Sequence, residues 1–234
     1  MNSASWYAQP LMRLNDSVSE RLRSSPLLVR VLFGTRVERG VRKRYWDYTT
    51  LVLKKALSRF VRPGLRILEI GVGDYALLSI YVAKHFPVSV TGVDIVPEVV
   101  VNARRTALAN AVRIDLRESD MFSQCDGAYD LVFWNIPYVP RGAQQGRQAQ
   151  TFGDVIWDGG SDGTELIRRC LDQAPGYLTE RGRLLLGINT FYVSGANLSR
   201  IVAASPFQLE GSIGAWPNPS RVFVLALAGA DRVA

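Results

Sequence analysis

From residue 64 onward the chain alternates between two apolar patterns. Short, nearly continuous apolar runs end in glycine, aspartate or asparagine. Longer stretches follow in which apolar residues recur at helical spacing. Arg66–Ile70, Ser89–Asp94, the short Arg113–Arg117, Leu131–Asn135 and Gly182–Ile188 read as buried strands. Helices are predicted over Tyr75–His85, from Pro97 to about Asn110, from a cap at Ser161 or Asp162 to about Ala174, and near Ala196–Ala204. Strands that take turns with helices mark a parallel sheet covered on both faces. The last two runs, Phe207–Ser212 and Val222–Ala228, have no helix between them, and Pro217-Asn218-Pro219 turns the chain there. The expectation is a doubly wound, mostly parallel, seven-stranded α/β sheet closed by an antiparallel hairpin.

Upstream the pattern is helical. Apolar spots at Trp6, Tyr7, Leu11, Met12 and Leu14 precede a short helix, capped by Asp16 or Ser17, that runs to about Ser24. A second piece runs from Leu27 to Phe33 and stops at Gly34. A longer helix is predicted from Thr35 to Val61, weakened at Gly40 and ended by Pro63-Gly64. Residues 1–62 are thus read as an N-terminal helical extension or lid, and 63–234 as the domain that carries the chemistry. The aromatics Tyr45, Trp46 and Tyr48 either pack in the core or line a cofactor or substrate pocket. The segment from Val139 to Gly160 has no pattern of its own, and such length marks a lid or binding loop.

Candidate chemistry concentrates where strands stop. Glu69-Ile70-Gly71-Val72-Gly73 ends the first strand in a glycine turn that opens a helix. Such a turn lets a ligand touch the backbone, and the helix aims free N–H groups at it. Two ligand classes use this geometry. A dinucleotide site wants G-x-G-x-x-G, with Ala76 at the third position. A carboxylate just before the glycines, here Glu69, suits a ligand carrying an ammonium, such as S-adenosylmethionine. Asp94 falls where an acid binds ribose hydroxyls, which both classes need. The fourth strand ends in Asn135-Ile136-Pro137-Tyr138.

Composition adds limits. The net charge of +7 permits an acidic partner such as RNA without requiring one; much of it sits in Arg36, Arg39, Arg42, Lys43, Arg44, Lys54 and Lys55. Cys125 and Cys170 form no disulfide framework and suit a reduced cytoplasm. No signal peptide and no apolar run of membrane-spanning length is read. His85 is the only histidine, and neither a metal site nor a Ser-His-Asp system is expected.

The glycine turn with Glu69, then Asp94, then Asn-x-Pro-Tyr, in that order, resembles the class I S-adenosylmethionine-dependent methyltransferases. More narrowly it resembles their N-P-P-Y subgroup, which includes the release-factor glutamine methyltransferases. The resemblance covers about residues 64–190. It implies that Glu69, Gly71 and Gly73 hold the methionine part of S-adenosylmethionine. Asp94, with Ile95 beside it, takes the ribose; Asp120 takes the adenine amine, and Met121 packs near the ring. Asn135, Pro137 and Tyr138 become the catalytic set. In the family, the Asn side-chain oxygen and the following backbone carbonyl accept the N–H bonds of the target nitrogen, and the Tyr ring stacks on a planar acceptor. Ile136 departs from the family's proline. Asp158-Gly159-Gly160-Ser161-Asp162-Gly163 resembles the family's stretch before its fourth helix. The first 60 or so residues do not match the substrate-recognition bundle of the release-factor enzymes.

Three readings follow. The first is an N-methyltransferase on an amide or planar amine of a small molecule or protein. The second is a methyltransferase-like enzyme that cyclises S-adenosylmethionine itself to azetidine-2-carboxylate and releases methylthioadenosine. The third is a non-catalytic RNA-binding module.

Overall fold

A computed structural model of the chain describes residues 22–23, 25–37, 46–141, 158–214 and 218–229. Helix α1, Pro26–Phe33, starts on Ser25, whose side chain accepts from the Leu28 amide, and stops at Gly34 with φ +67°. Helix α2 spans Tyr48–Phe60. The continuous helix expected from Thr35 therefore does not form. Gly34 in the left-handed region ends α1, residues 34–37 and 46–47 are not helical, and α2 starts on Asp47. The Asp47 carboxylate accepts from the Thr50 amide at 2.7 Å while the Thr50 hydroxyl accepts from the Asp47 amide, a reciprocal cap. Of the short helix expected to run to about Ser24 only Leu22 and Arg23 are described, both helical, and Gly40, Tyr45 and the basic positions Arg39, Arg42, Lys43 and Arg44 lie outside the described residues.

The sheet then builds from β1 (Arg66–Ile70), β2 (Ser89–Asp94), β3 (Asp115–Glu118), β4 (Tyr129–Asn135), β5 (Leu178–Asn189), β6 (Phe207–Ile213) and β7 (Ser220–Leu227). Their order is β3-β2-β1-β4-β5-β7-β6. The first five are mutually parallel, while β7 runs antiparallel to β5 and to β6. The expected doubly wound sheet with its closing hairpin is present.

The helices between are α3 (Leu77–His85), α4 (Pro97–Ala109), α5 (Glu165–Gln173) and α6 (Gly195–Ala203). Two starts differ from expectation. Helix α3 begins at Leu77 because Ala76 sits at φ +45°, so the turn after β1 extends through it. Helix α5 begins at Glu165: Asp162 spends its carboxylate on the amide and hydroxyl of Thr164, closing a turn, and caps nothing further.

Apolar residues fill both faces of the sheet. One cluster joins Val29 and Phe33 of α1 and Leu53 and Leu57 of α2 to Phe133 and Leu185 of the sheet. The N-terminal helices thus share a core with the strands. Gly187 of β5 permits the close seating of α2, since a Cβ there would stand 2.7 Å from Thr49 and 2.8 Å from Leu53. This seating brings the first turn of α2 to the carboxyl ends of β4 and β5. Among the described residues, no helix is long and apolar enough to cross a membrane.

Candidate active site

Strands β1, β2 and β4 lie side by side, so their carboxyl ends open on one cavity, as expected of an open parallel sheet. Gly71 and Gly73 line it, both with φ +66°. Few L side chains adopt that conformation. Around Gly73 a Cβ would find no protein atom within 4 Å, whereas at Gly71 it would stand 2.8 Å from Nε1 of Trp134. The turn is therefore open to a ligand at Gly73 and closed by the indole at Gly71.

Asp94 holds this turn in place. Its Oδ2 accepts from the Gly73 amide at 3.1 Å and its Oδ1 from the Val96 amide at 3.1 Å. Burial raises the carboxyl's pKa, the two amide bonds oppose that rise, and Asp74 adds to it. Ile95, Val96 and Val99 continue the wall apolarly. Farther round, Asp120 and Met121 line the cavity. Met121 takes φ +50°, its carbonyl held by the Ser119 hydroxyl at 2.9 Å. Asp120 pairs with Arg169 of α5 at 2.6 Å, across the same mouth.

Glu69 is not among the lining residues. Its buried carboxyl turns to Ser79, accepting the amide at 3.0 Å and the hydroxyl at 2.5 Å. Burial pushes its pKa up to about 8; the Ser79 bonds oppose this and Asp94 adds to it. In this structure Glu69 ties β1 to the first turn of α3.

Asn135 and Pro137 close the cavity at the end of β4. Asn135 Nδ2 donates to the Asp47 carboxylate, 3.3 Å from Oδ1 and 3.4 Å from Oδ2. Asn135 Oδ1 is buried and accepts from no described group. Tyr138 lies just beyond the lining, buried at 5% exposure. Its ring stacks on Tyr192 with centroids 5.8 Å apart, and its hydroxyl meets the Thr49 side chain. Burial raises the Tyr138 pKa well above the ordinary phenol value, and the nearby Asp47 charge raises it further.

Trp46 and Tyr48 do not line the cavity. Trp46 packs edge-on to Tyr48 and against Phe33, with its indole N–H buried and without a partner among the described residues, and Tyr48 is half exposed. His85 sits at the end of α3, its Nδ1 against the Tyr81 carbonyl. Among the described residues no cluster of His, Cys, Asp and Glu is placed to hold a metal ion.

Asp47, Trp134 and Arg169 also reach this site, and two of them carry no local chemical signal. Asp47 alone had one, the Asp-x-x-Thr spacing of a helix start.

The chain matches the Methyltransferase small domain family over residues 42–153. It is 37% identical over 116 residues to a putative protein N5-glutamine methyltransferase of Methanocaldococcus jannaschii, covering 50% of this chain and 57% of that one. It is 31% identical over 143 residues to the release factor glutamine methyltransferase of Geobacter sulfurreducens, covering 59% and 50%. The chain thus spans about half the length of these relatives. A solved methyltransferase from Pyrococcus furiosus has the same fold, with TM-score 0.66 at 20% identity over 92% of this chain and 99% of that one. In sequence the chain is similar to methyltransferases, and in fold to a solved methyltransferase. The relatives it is similar to include glutamine methyltransferases and a ribosomal protein L11 methyltransferase of Thermosipho africanus, 40% identical over 88 residues.

Proposed function

We infer that the protein is an amide N-methyltransferase acting on a carboxamide of a protein or small molecule. The observation that carries this reading is the buried Oδ1 of Asn135, which has no partner among the described residues and stands at a cavity of the right class. A buried acceptor left unpaired costs free energy, and such a group points to a missing donor. A carboxamide N–H is that donor. Relatives named for glutamine methylation support the same choice.

The cavity suits an adenosyl sulfonium ligand. Gly73 leaves open space for it, Asp94 offers a carboxylate already aligned, and Ile95, Val99 and Met121 provide apolar walls. Gly71, Gly73 and Asp94 would hold the methionine and ribose parts, and Asp120 the adenine amine. Glu69 would act through the turn it braces. When bound, S-adenosylmethionine supplies an electrophilic methyl group and leaves as a neutral thioether.

An amide nitrogen is a weak nucleophile because its lone pair is delocalised. Asn135 Oδ1 accepts one of its N–H bonds, orients the nitrogen and draws positive charge out toward that proton as the new N–C bond forms. Positioning and aligned dipoles of this kind supply several kcal/mol. The proton then passes to water. The Tyr138 ring, stacked on Tyr192 just beyond the lining, would back the planar acceptor. The segment through residue 62 serves as a cover against bulk water, and residues 63–234 carry the chemistry.

The test is product analysis with S-adenosylmethionine, alone and with N-acetylglutamine amide or a glutamine-containing peptide. The expected result is S-adenosylhomocysteine and an acceptor heavier by one methylene, lost in Asn135→Ala. Methylthioadenosine from S-adenosylmethionine alone would replace this reading with the cyclisation. Binding of RNA without turnover of any acceptor would replace it with the binding module.

A further inference from the structure

We propose that Asp47 is a positioning residue that fixes which end of the Asn135 amide faces the acceptor. This rests on the reading of Asn135 given above. An asparagine amide has two nearly isosteric ends of opposite character, an oxygen that accepts and an NH₂ that donates. Only the oxygen serves an N–H substrate. Turned the other way, the side chain would present donors to a donor. A carboxylate accepts and does not donate, so a neighbouring aspartate selects the NH₂ end and leaves the oxygen free. The structure has this arrangement: Asn135 Nδ2 faces both oxygens of Asp47, and Oδ1 is the atom left over.

Asp47 is itself held. Its Oδ1 accepts from the amide and the hydroxyl of Thr50, both at 2.7 Å, within the cap of α2. Thr49, in the same turn, meets the Tyr138 side chain and donates to the Ser220 hydroxyl at 3.1 Å. One helical turn therefore braces both ends of Asn135-Ile136-Pro137-Tyr138, from 88 residues upstream of Asn135. The close approach at Gly187 keeps that turn in place.

A simpler role for Asp47 is the cap alone, and the variants separate the two. Asp47→Ser keeps a good helix cap, since serine caps as well as aspartate, but its shorter side chain does not span to Asn135. Asp47→Asn keeps the cap and one acceptor oxygen. With N-acetylglutamine amide as acceptor, Asp47→Ser is expected to melt close to the parent and to bind S-adenosylmethionine within about threefold by calorimetry. Its kcat is expected to fall at least tenfold, with KM for the acceptor changed far less. Asp47→Asn recovers most of that loss. Independently of turnover, the Asn135 side-chain NH₂ signals in a ¹⁵N spectrum, assigned by their loss in Asn135→Ala, should shift and exchange faster with water in Asp47→Ser. A reciprocal pair covers the case in which Asp47→Ser is poorly folded. Asn135→Asp places two carboxylates together and should lose turnover. Adding Asp47→Asn restores one donor–acceptor pair and should recover it at least tenfold. Parent kcat and unshifted Asn135 signals in Asp47→Ser, or no recovery in the double variant, would overturn the proposal while loss of turnover in Asn135→Ala keeps the reading of the site. An Asn135→Ala protein as active as the parent would overturn both.

Discussion

The backbone N–H of Gly73 donates to Oδ2 of Asp94 at 3.1 Å, tying the turn after β1 to the acid that ends β2. The other carboxylate oxygen takes the Val96 amide. Asp94 therefore shapes the turn before any ligand arrives, while keeping lone pairs that face the cavity. Asp94→Ala removes both the ligand contact and the brace. Affinity for S-adenosylmethionine is expected to fall by about 1.5–3 kcal/mol, the cost of a hydrogen bond to a charged group. Titration calorimetry measures it; unchanged affinity in a folded variant would remove Asp94 from the site.

The two glycines of the turn should behave differently. Both have φ +66°, so alanine at either adds strain of about 1–2 kcal/mol. At Gly73 the new methyl meets open space on the cavity side, so Gly73→Ala should lose cofactor affinity with little further loss of stability. At Gly71 it meets the Trp134 indole at 2.8 Å and must displace it, so Gly71→Ala should lower the melting temperature more than Gly73→Ala does. Equal melting temperatures for the two variants would contradict this.

The contrast shows what the sequence made legible. The turn, Asp94 and Asn135 are local signals: each is the polar end of an apolar run, and adjacent parallel strands bring such ends together. Strands β1 and β2 have the bounds their apolar runs predicted. Tertiary contacts were hidden. Asp47 reaches Asn135 across 88 residues and Arg169 reaches Asp120 across 49, and neither spacing has a local pattern. The helix expected through Thr35 is interrupted at residues 34–37 and 46–47, where Gly34 ends one helix and the Asp47 cap starts another. The left-handed Ala76 was invisible because alanine ordinarily favours a helix. Glu69 was read as a ligand group from its place before the glycines, and the structure turns it to Ser79.

Glu69 gives the apo protein a pH dependence with a definite sign. Its folded pKa of about 8 lies above the ordinary 4.5, so the fold favours the neutral acid. Between those values the folded chain holds a proton that the unfolded chain has released. The contribution is complete below about pH 4.5 and fades as pH rises toward 8, by up to about 1.4 kcal/mol per pH unit. In Glu69→Gln the amide oxygen still accepts both Ser79 bonds, and nothing titrates. Urea unfolding without cofactor should therefore fall less steeply between about pH 5 and pH 8 in the variant. The same slope in both proteins would show that Glu69 is charged in the fold.

Tyr138 separates ring from hydroxyl. The ring stacks on Tyr192, which in turn meets Phe191 edge-on at 5.3 Å, and Phe191 is 81% exposed. This aromatic series leads from solvent to the residue behind Asn135. The hydroxyl meets Thr49, which has a second partner in Ser220. Tyr138→Phe keeps the stack and leaves no side chain at Thr49 unpaired. It should cost about 1 kcal/mol of stability and change turnover by a few-fold at most. Tyr138→Ala removes a ring from the largest core cluster, and a cavity of that kind costs about 3–5 kcal/mol. Turnover in that variant must be read on protein shown to be folded, at a temperature well below its melting point. If the ring holds a planar acceptor, the loss appears as a raised acceptor KM with cofactor affinity unchanged. A Tyr138→Phe protein as impaired as Tyr138→Ala would instead place the function in the hydroxyl and its contact with α2.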